Sequence, residues 1–329
     1  MTALLLFPLL FVLFLVFAEL KTLYINYFQA SKISKLVYII KNTSNLVHET
    51  QIERGMSSGF LGSNGTLYRD ELKSQRKKSD EAFLIFKSSL DSLVLENYSA
   101  DLKASSEKVI NIFNNLSSVR SMVDSFALTA PETVGFYDKM NDETLKLIEP
   151  ISFLAPNNEI FNSIKAYLLF LFSKERTGIE RGTLNNAFSS NKFNPGMFLI
   201  FSSLMTEQEL FMKEFVFYSS KENVDYVNNK LEGNAIVEVN RMRKIAIDNY
   251  DIGNFNIDPK YWFNTITEKI NIMKEIEDYL LLDLIQKVES HKKNSIQVFI
   301  IESVIFLIVT ILTLTLGLIV VSGITKSVQ

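Results

Sequence analysis

Gln51-Ile52-Glu53-Arg54-Gly55-Met56-Ser57-Ser58-Gly59-Phe60-Leu61-Gly62 and, further along, Lys174-Glu175-Arg176-Thr177-Gly178-Ile179-Glu180-Arg181-Gly182 share a Glu-Arg-Gly triplet. Each triplet sits in a run with apolar residues at helical spacing, so both arginines are expected on helices. A glycine inside a helix costs roughly 1 kcal/mol relative to alanine. Meeting that cost at matching positions, Gly55 and Gly182, suggests the close approach of a neighbouring helix or a small ligand. On a helical wheel Arg54 has Thr50, Gln51, Ser57 and Ser58 as neighbours, and Arg181 has Thr177, Gly178, Leu184 and Asn185. A guanidinium beside small polar groups suits a planar oxyanion, because its fork of N–H donors stays charged at any working pH. The competing expectation is structural, with each arginine neutralised by Glu53 or Glu180 from the facing helix.

Outward from these stretches the chain reads as helix after helix. No Gly or Pro interrupts residues 9–54, and Leu36, Ile39, Ile40, Val47 and Ile52 recur at helical spacing. Gly59, Gly62 and Asn64-Gly65 then close that helix. Further helices are expected over about 69–95, 101–124 and 136–154, the last following a break at Ala130-Pro131 and Gly135 and interrupted near Pro150. Residues 157–190 carry the apolar run 167–172, which is apolar all round and marks a central buried helix. Residues 197–218 and 223–249 follow, the latter with Arg241, Arg243 and Lys244 read as a solvated face. Asp258-Pro259 starts the last helix, with a capping side chain and proline at the first helical position. That makes about eight helices with short connections. The expected class is all-α, as two stacked four-helix bundles.

Composition supports this and excludes much else. The chain has 329 residues, 47% apolar, with only 12 Gly and 6 Pro. A formal net charge of −3 gives no basic footprint for nucleic acid. There is no cysteine, which excludes disulfides, Cys-ligated zinc and Cys nucleophiles. The two histidines, His48 and His291, suggest no metal site. Phosphate-binding, dinucleotide and nucleophile-elbow motifs are missing, and no acid/base couple stands out, so no enzyme, cofactor or metal is expected. The many aromatic residues are read as core rather than as a cation cage.

Two stretches, residues 1–20 and 298–321, are long and apolar enough to cross a bilayer. The first has no basic residue before its apolar run and no small-residue cleavage pattern, so it is read as a retained anchor. The expected organisation is a first span over 1–20, an extracytoplasmic sensory domain over 21–297, a second span over 298–321 and a short segment over 322–329.

Several separate motifs in one order carry a family resemblance. They are the two quoted stretches, Gln75-Arg76 with Asp80, and Asp258-Pro259-Lys260-Tyr261-Trp262-Phe263 with Thr267, Lys269 and Ile270. Over about residues 36–277 the chain resembles the NIT domain, a nitrate- and nitrite-sensing module of bacterial receptors and of a transcription antiterminator. The resemblance implies an all-helical domain of two four-helix bundles that binds nitrate or nitrite through arginines, here Arg54 and Arg181. Thr50, Gln51, Ser57, Ser58 and Thr177 would supply hydrogen bonds. Arg176 adds a second guanidinium on the second helix, so either Arg176 or Arg181 can face the ligand. Gly323-Ile324-Thr325-Lys326-Ser327 resembles the start of a HAMP segment. The resemblance thus implies a homodimeric inner-membrane receptor, a methyl-accepting chemotaxis protein in the commonest arrangement, with a cytoplasmic signalling module beyond the residues given. A receptor for a small carboxylate or amino acid, and a ligand-free dimerisation stalk, are the alternatives.

Overall fold

In a computed structural model the backbone is described for residues 2–328 and the side chains for residues 11–323. Residues 1–10 of the first expected span and residues 324–329 of the HAMP-like stretch lie outside the described side chains.

The fold is all-α, and no strand occurs among the described residues. In chain order the helices are α1 (Thr2–Gly62), α2 (Arg69–Asp91), α3 (Ala100–Asn114), α4 (Leu116–Asp124), α5 (Ala130–Lys146), α6 (Ile148–Ser152), α7 (Asn158–Ser189), α8 (Met197–Tyr218), α9 (Lys221–Lys230), α10 (Asn234–Asp248) and α11 (Pro259–Val328), with a 3-10 turn at Leu95–Asn97. The chain divides into two compact units, Leu36–Leu284 and Met1–Lys35 with Ile285–Gln329.

Within Leu36–Leu284, the eight expected legs are present, some of them broken. The C-terminal part of α1 packs with α2, α3–α4 and α5; α7 packs with α8, α9–α10 and the N-terminal part of α11. The breaks have local causes. Between α3 and α4, the Asn115 side chain donates to the Asn111 carbonyl, competing with the helix ladder. Between α9 and α10, Gly233 is extended (φ −69°, ψ 164°) and serves as the cap of the second piece. The start of α5 departs from the expected break at Ala130-Pro131. Thr129 and Glu132 form a reciprocal capping box with Pro131 in the first turn, so this proline starts a helix. Gly135 is an exposed interior residue of that helix with open space around it.

Leu184, Phe188, Phe201, Val239, Met242, Trp262 and Ile266 form the core of the second leg set, and Phe60, Leu61, Leu72 and Val123 a smaller one in the first. Tyr167, Leu168, Phe170 and Leu171 are buried in α7, while Leu169 and Phe172 of the same run are half-buried, so this helix is central but not covered on every side. Gly65, at φ +80°, lets the chain leave α1 with its N–H on the Phe60 carbonyl.

In the other unit, the N-terminal part of α1 meets the C-terminal part of α11 over residues 24–34 and 289–299. The Tyr24 and Tyr27 rings lie 6.3 and 6.2 Å from that of Phe299, and Ser34 donates to Glu289. Both helices contain a segment long and apolar enough to cross a membrane, by length and composition, and those segments are unburied.

Candidate functional site

Four helices, α1, α5, α7 and α11, meet around the two quoted stretches. On α7 the residues turned toward α1 are Glu175, Gly178 and Arg181, three residues apart; on α1 they are Gln51, Arg54 and Gly55. Each arginine lies over a glycine of the opposite helix. A Cβ on Gly178 would stand 2.9 Å from Arg54 Nη2, and one on Gly55 would stand 3.4 Å from Arg181 Nη2. The close approach expected at Gly55 is therefore present. The one expected at Gly182 is not, since Gly182 is exposed with nothing within 4 Å, and Gly178 fills that role instead.

Charge is distributed unequally between the two guanidiniums. Arg54 is buried and donates from Nη1 to Asp138 at 2.5 Å and to Glu175. Burial opposes its charge, but the two carboxylates outweigh it and its pKa is raised. Arg181 has no carboxylate partner among the described residues. Its Nη1 donates to the Thr267 hydroxyl at 3.1 Å, and its guanidinium carbon sits 4.8 Å above the Phe263 ring. Part of this side chain still reaches solvent, yet the protein packed around it, together with the nearby Arg54, lowers its pKa to about 10. Trp262 Nε1 donates to the Arg181 carbonyl and holds α11 against this turn of α7.

The structural expectation of a carboxylate partner holds for Arg54, through Glu175 and Asp138 rather than Glu53 or Glu180, and fails for Arg181 among the described residues. Glu53 receives Arg120 Nε at 2.7 Å, Arg120 Nη2 at 2.9 Å and the Tyr137 hydroxyl at 2.7 Å. Glu180 receives Arg243 Nε at 2.6 Å, a second bond from Arg243 Nη2, and Gln208 Nε2 at 2.9 Å. Each triplet glutamate is thus clamped by an arginine from the third leg of its own four-leg set. Arg243 was expected on a solvated face; only its neighbours Arg241 and Lys244 are exposed, while Arg243 turns inward because Glu180 is fully buried and needs a countercharge.

The remaining expected residues spread around this centre. Gln51 donates to Glu175. Thr50 donates to Asn141 at 2.7 Å, and Asn141 in turn donates to Glu175. Ser57 is fully buried beside the Tyr137 hydroxyl, away from α7. Ser58, one turn beyond Arg54, is half-buried and makes no hydrogen bond among the described residues. Thr177 faces α8, donating to Gln208 at 3.0 Å. Arg176 pairs with Asp142 and Glu207, so of the two candidates on α7 it is Arg181 that stands across from Arg54.

Sequence reading missed Asp138, Glu175, Asn141 and Phe263. Glu175 lay inside the quoted stretch, three residues before Gly178 and six before Arg181. That spacing, taken along α7, would have placed it on the shared face. Asp138 carries no such local signal. The described residues hold no group of His, Cys, Asp and Glu able to bind a metal.

A family model described as nitrate and nitrite sensing, NIT, matches residues 45–285. The chain belongs to the NIT family. Its NIT region covers the four-helix meeting point and both triplets. A nitrate regulatory protein from Klebsiella oxytoca is 21% identical over 247 residues, covering 75% of this chain and 62% of that protein. The chain therefore spans less than two thirds of that relative's length. The solved structure of the NasR transcription antiterminator is similar with a TM-score of 0.76 at 20% identity, covering 92% of this chain and 80% of that one, and it supports the NIT fold.

Proposed function

We propose that this chain is the sensory and membrane portion of a receptor, in which nitrate or nitrite binds where α1 and α7 meet, between Arg54 and Arg181. The observation that carries the reading is Arg181, a guanidinium packed into protein with no carboxylate to neutralise it. A small planar anion supplies the missing charge and can accept from two guanidinium forks at once. On α1, Gln51, which shares Glu175 with Arg54, and Ser58, one turn beyond Arg54, would assist. Thr50 acts through Asn141 and Glu175, while Ser57, Thr177 and Arg176 shape the surrounding helices. The stalk alternative needs both arginines neutralised; Asp138 and Glu175 do this for Arg54, and Arg181 meets only the Thr267 hydroxyl. A carboxylate ligand remains the competing anion; the guanidiniums resting on Gly55 and Gly178 favour the smallest ones.

Binding stabilises one placement of α1 against α7, by no more than the difference in affinity between placements. Both α1 and α11 continue as unbroken helix into their apolar segments, which supports a membrane location and a helix shift as the signal. Homodimerisation and a cytoplasmic output belong to the same proposal. The relatives are named as a nitrate regulator and a transcription antiterminator, so chemotaxis as the output rests on the sequence resemblance alone, and the exclusion of nucleic acid on composition alone.

The test is thermal melting of the full chain in detergent with nitrate, nitrite, acetate or chloride. A ligand at a hundred times its Kd stabilises by about 2.7 kcal/mol. Nitrate or nitrite should raise the Tm saturably, and chloride at equal ionic strength should not. Equal shifts with all four anions would contradict the reading.

A further inference from the structure

Two carboxylates share Arg54, and they are held very differently. Glu175 is fully buried and accepts from Gln51 and Asn141 as well as from Arg54. Asp138, on α5, has Arg54 as its one hydrogen-bond partner among the described residues, and its side chain is 26% exposed. The charged groups facing it are Arg54 from α1 and Glu175 and Arg176 from α7. Arg176 is already committed to Asp142 and Glu207, and Glu175 repels the Asp138 carboxylate. Asp138 is therefore the loosely held member of the pair.

The opposite arginine offers a comparison. On α11 the group that meets Arg181 is the neutral hydroxyl of Thr267. An external anion reaching for both guanidiniums meets no competing charge at Arg181. At Arg54 it meets a carboxylate, a planar oxyanion of nearly the same shape as nitrate.

We propose that Asp138 is a built-in occupant of the anion position on Arg54, which the incoming nitrate or nitrite displaces, so that binding breaks one tie between α5 and α1 while Tyr137–Glu53 and Thr50–Asn141 stay in place. This rests on the anion-site reading above and adds its regulation. Displacement makes the ligand's affinity depend on how tightly Asp138 competes. It also loosens the contact of α5 with α1 at Asp138, which an anion merely filling an empty pocket would not do.

Protonation weakens the competitor. Burial, followed by the repulsion from Glu175, raises the Asp138 pKa against the opposing pull of Arg54. A protonated Asp138 gives up its share of Arg54, which Glu175 still holds from the other side, and removes one repelling charge, so anion binding takes up a proton. Affinity should then rise as pH falls through the range above the ordinary aspartate value. Nitrate is the suitable probe because it stays ionised throughout.

The experiment is calorimetric titration of the full chain in detergent with sodium nitrate between pH 5 and 8, for the wild type, Asp138→Asn, Asp138→Ser and Glu143→Gln. Wild-type affinity should tighten toward pH 5. Both Asp138 variants should bind at least about tenfold more tightly at pH 7.5, the weight of one charge-assisted hydrogen bond, with little pH dependence. Glu143→Gln, further along α5 and paired with Lys108 and Lys146, controls for a general change in field and should shift affinity less than about twofold. Nitrate binding by an Asp138 variant with none by the wild type would also support displacement. Wild-type binding that is flat with pH, or Asp138 variants no tighter than the wild type, overturns the inference and leaves the anion site standing. No binding by any of the four proteins overturns the anion site itself, and this inference with it.

Discussion

Removing the guanidinium at position 54 and at position 181 should affect folding in opposite ways, because one is needed to neutralise buried charge and the other is not. Arg54→Ala leaves Glu175 buried without its cation, which costs about 3–5 kcal/mol. Arg181→Met deletes a cation with no carboxylate partner and keeps the packing on Phe263, so stability without ligand should hold or rise. Urea denaturation in nitrate-free buffer distinguishes them. The glycines divide similarly. Gly178→Ala puts a methyl 2.9 Å from Arg54 Nη2, whose position Asp138 and Glu175 fix, and should cost about 1–3 kcal/mol and weaken nitrate binding. Gly182→Ala meets open space and should gain up to about 1 kcal/mol from helix propensity. Lys269 supplies a pH test. Burial, and then Arg243, lowers its pKa to about 8 from the unfolded 10.5. The unfolded chain holds more protons between those values, so this lysine's contribution to stability rises with pH across about 8–10.5 and is unfavourable below pH 8. Lys269→Met should remove that rise and be more stable than the wild type at pH 7. A wild-type and Lys269→Met pair with parallel stability curves from pH 7 to 10 would contradict the assignment.

At the scale of elements, the repeated feature is a glutamate on the first leg of each set clamped by an arginine on the third. Arg120→Ala and Arg243→Ala each strand a buried carboxylate and should cost about 3–5 kcal/mol, whereas Arg241→Ala, on the exposed side of α10, should stay within about 0.5 kcal/mol. Chemical denaturation of the three variants is the check; a mild Arg243→Ala would mean that Gln208 and the nearby Lys269 suffice for Glu180. Much of this architecture was legible in the sequence. Apolar spacing located the legs, and Asp258-Pro259 located the start of α11, because period and capping are local properties. The Thr129-Glu132 box was equally local and was overlooked in favour of the proline that follows Ala130. The glutamate clamps were not legible. Whether Arg243 or Arg241 turns inward depends on which face α10 shows to Glu180, a residue on α7 and 63 positions away for Arg243. Asp138 was hidden for the same reason. The triplets named the arginines, but only packing reveals that one has two acidic partners and the other none.

For the whole molecule, the claim is a helical anion sensor built on two helices that also carry apolar segments. If those segments span a bilayer, the full chain expressed in bacteria should remain with the membrane pellet through alkaline carbonate washing and come free with detergent. Release by carbonate alone would contradict the membrane proposal without touching the anion site. The sensing claim turns on Arg181. Isothermal titration of the full chain in detergent with sodium nitrate at pH 6, comparing the wild type with Arg181→Met, tests it most directly. The account predicts saturable binding by the wild type and a loss of at least about tenfold in the variant, whose fold is expected to be intact. An Arg181→Met protein that titrates with the same affinity as the wild type would contradict it.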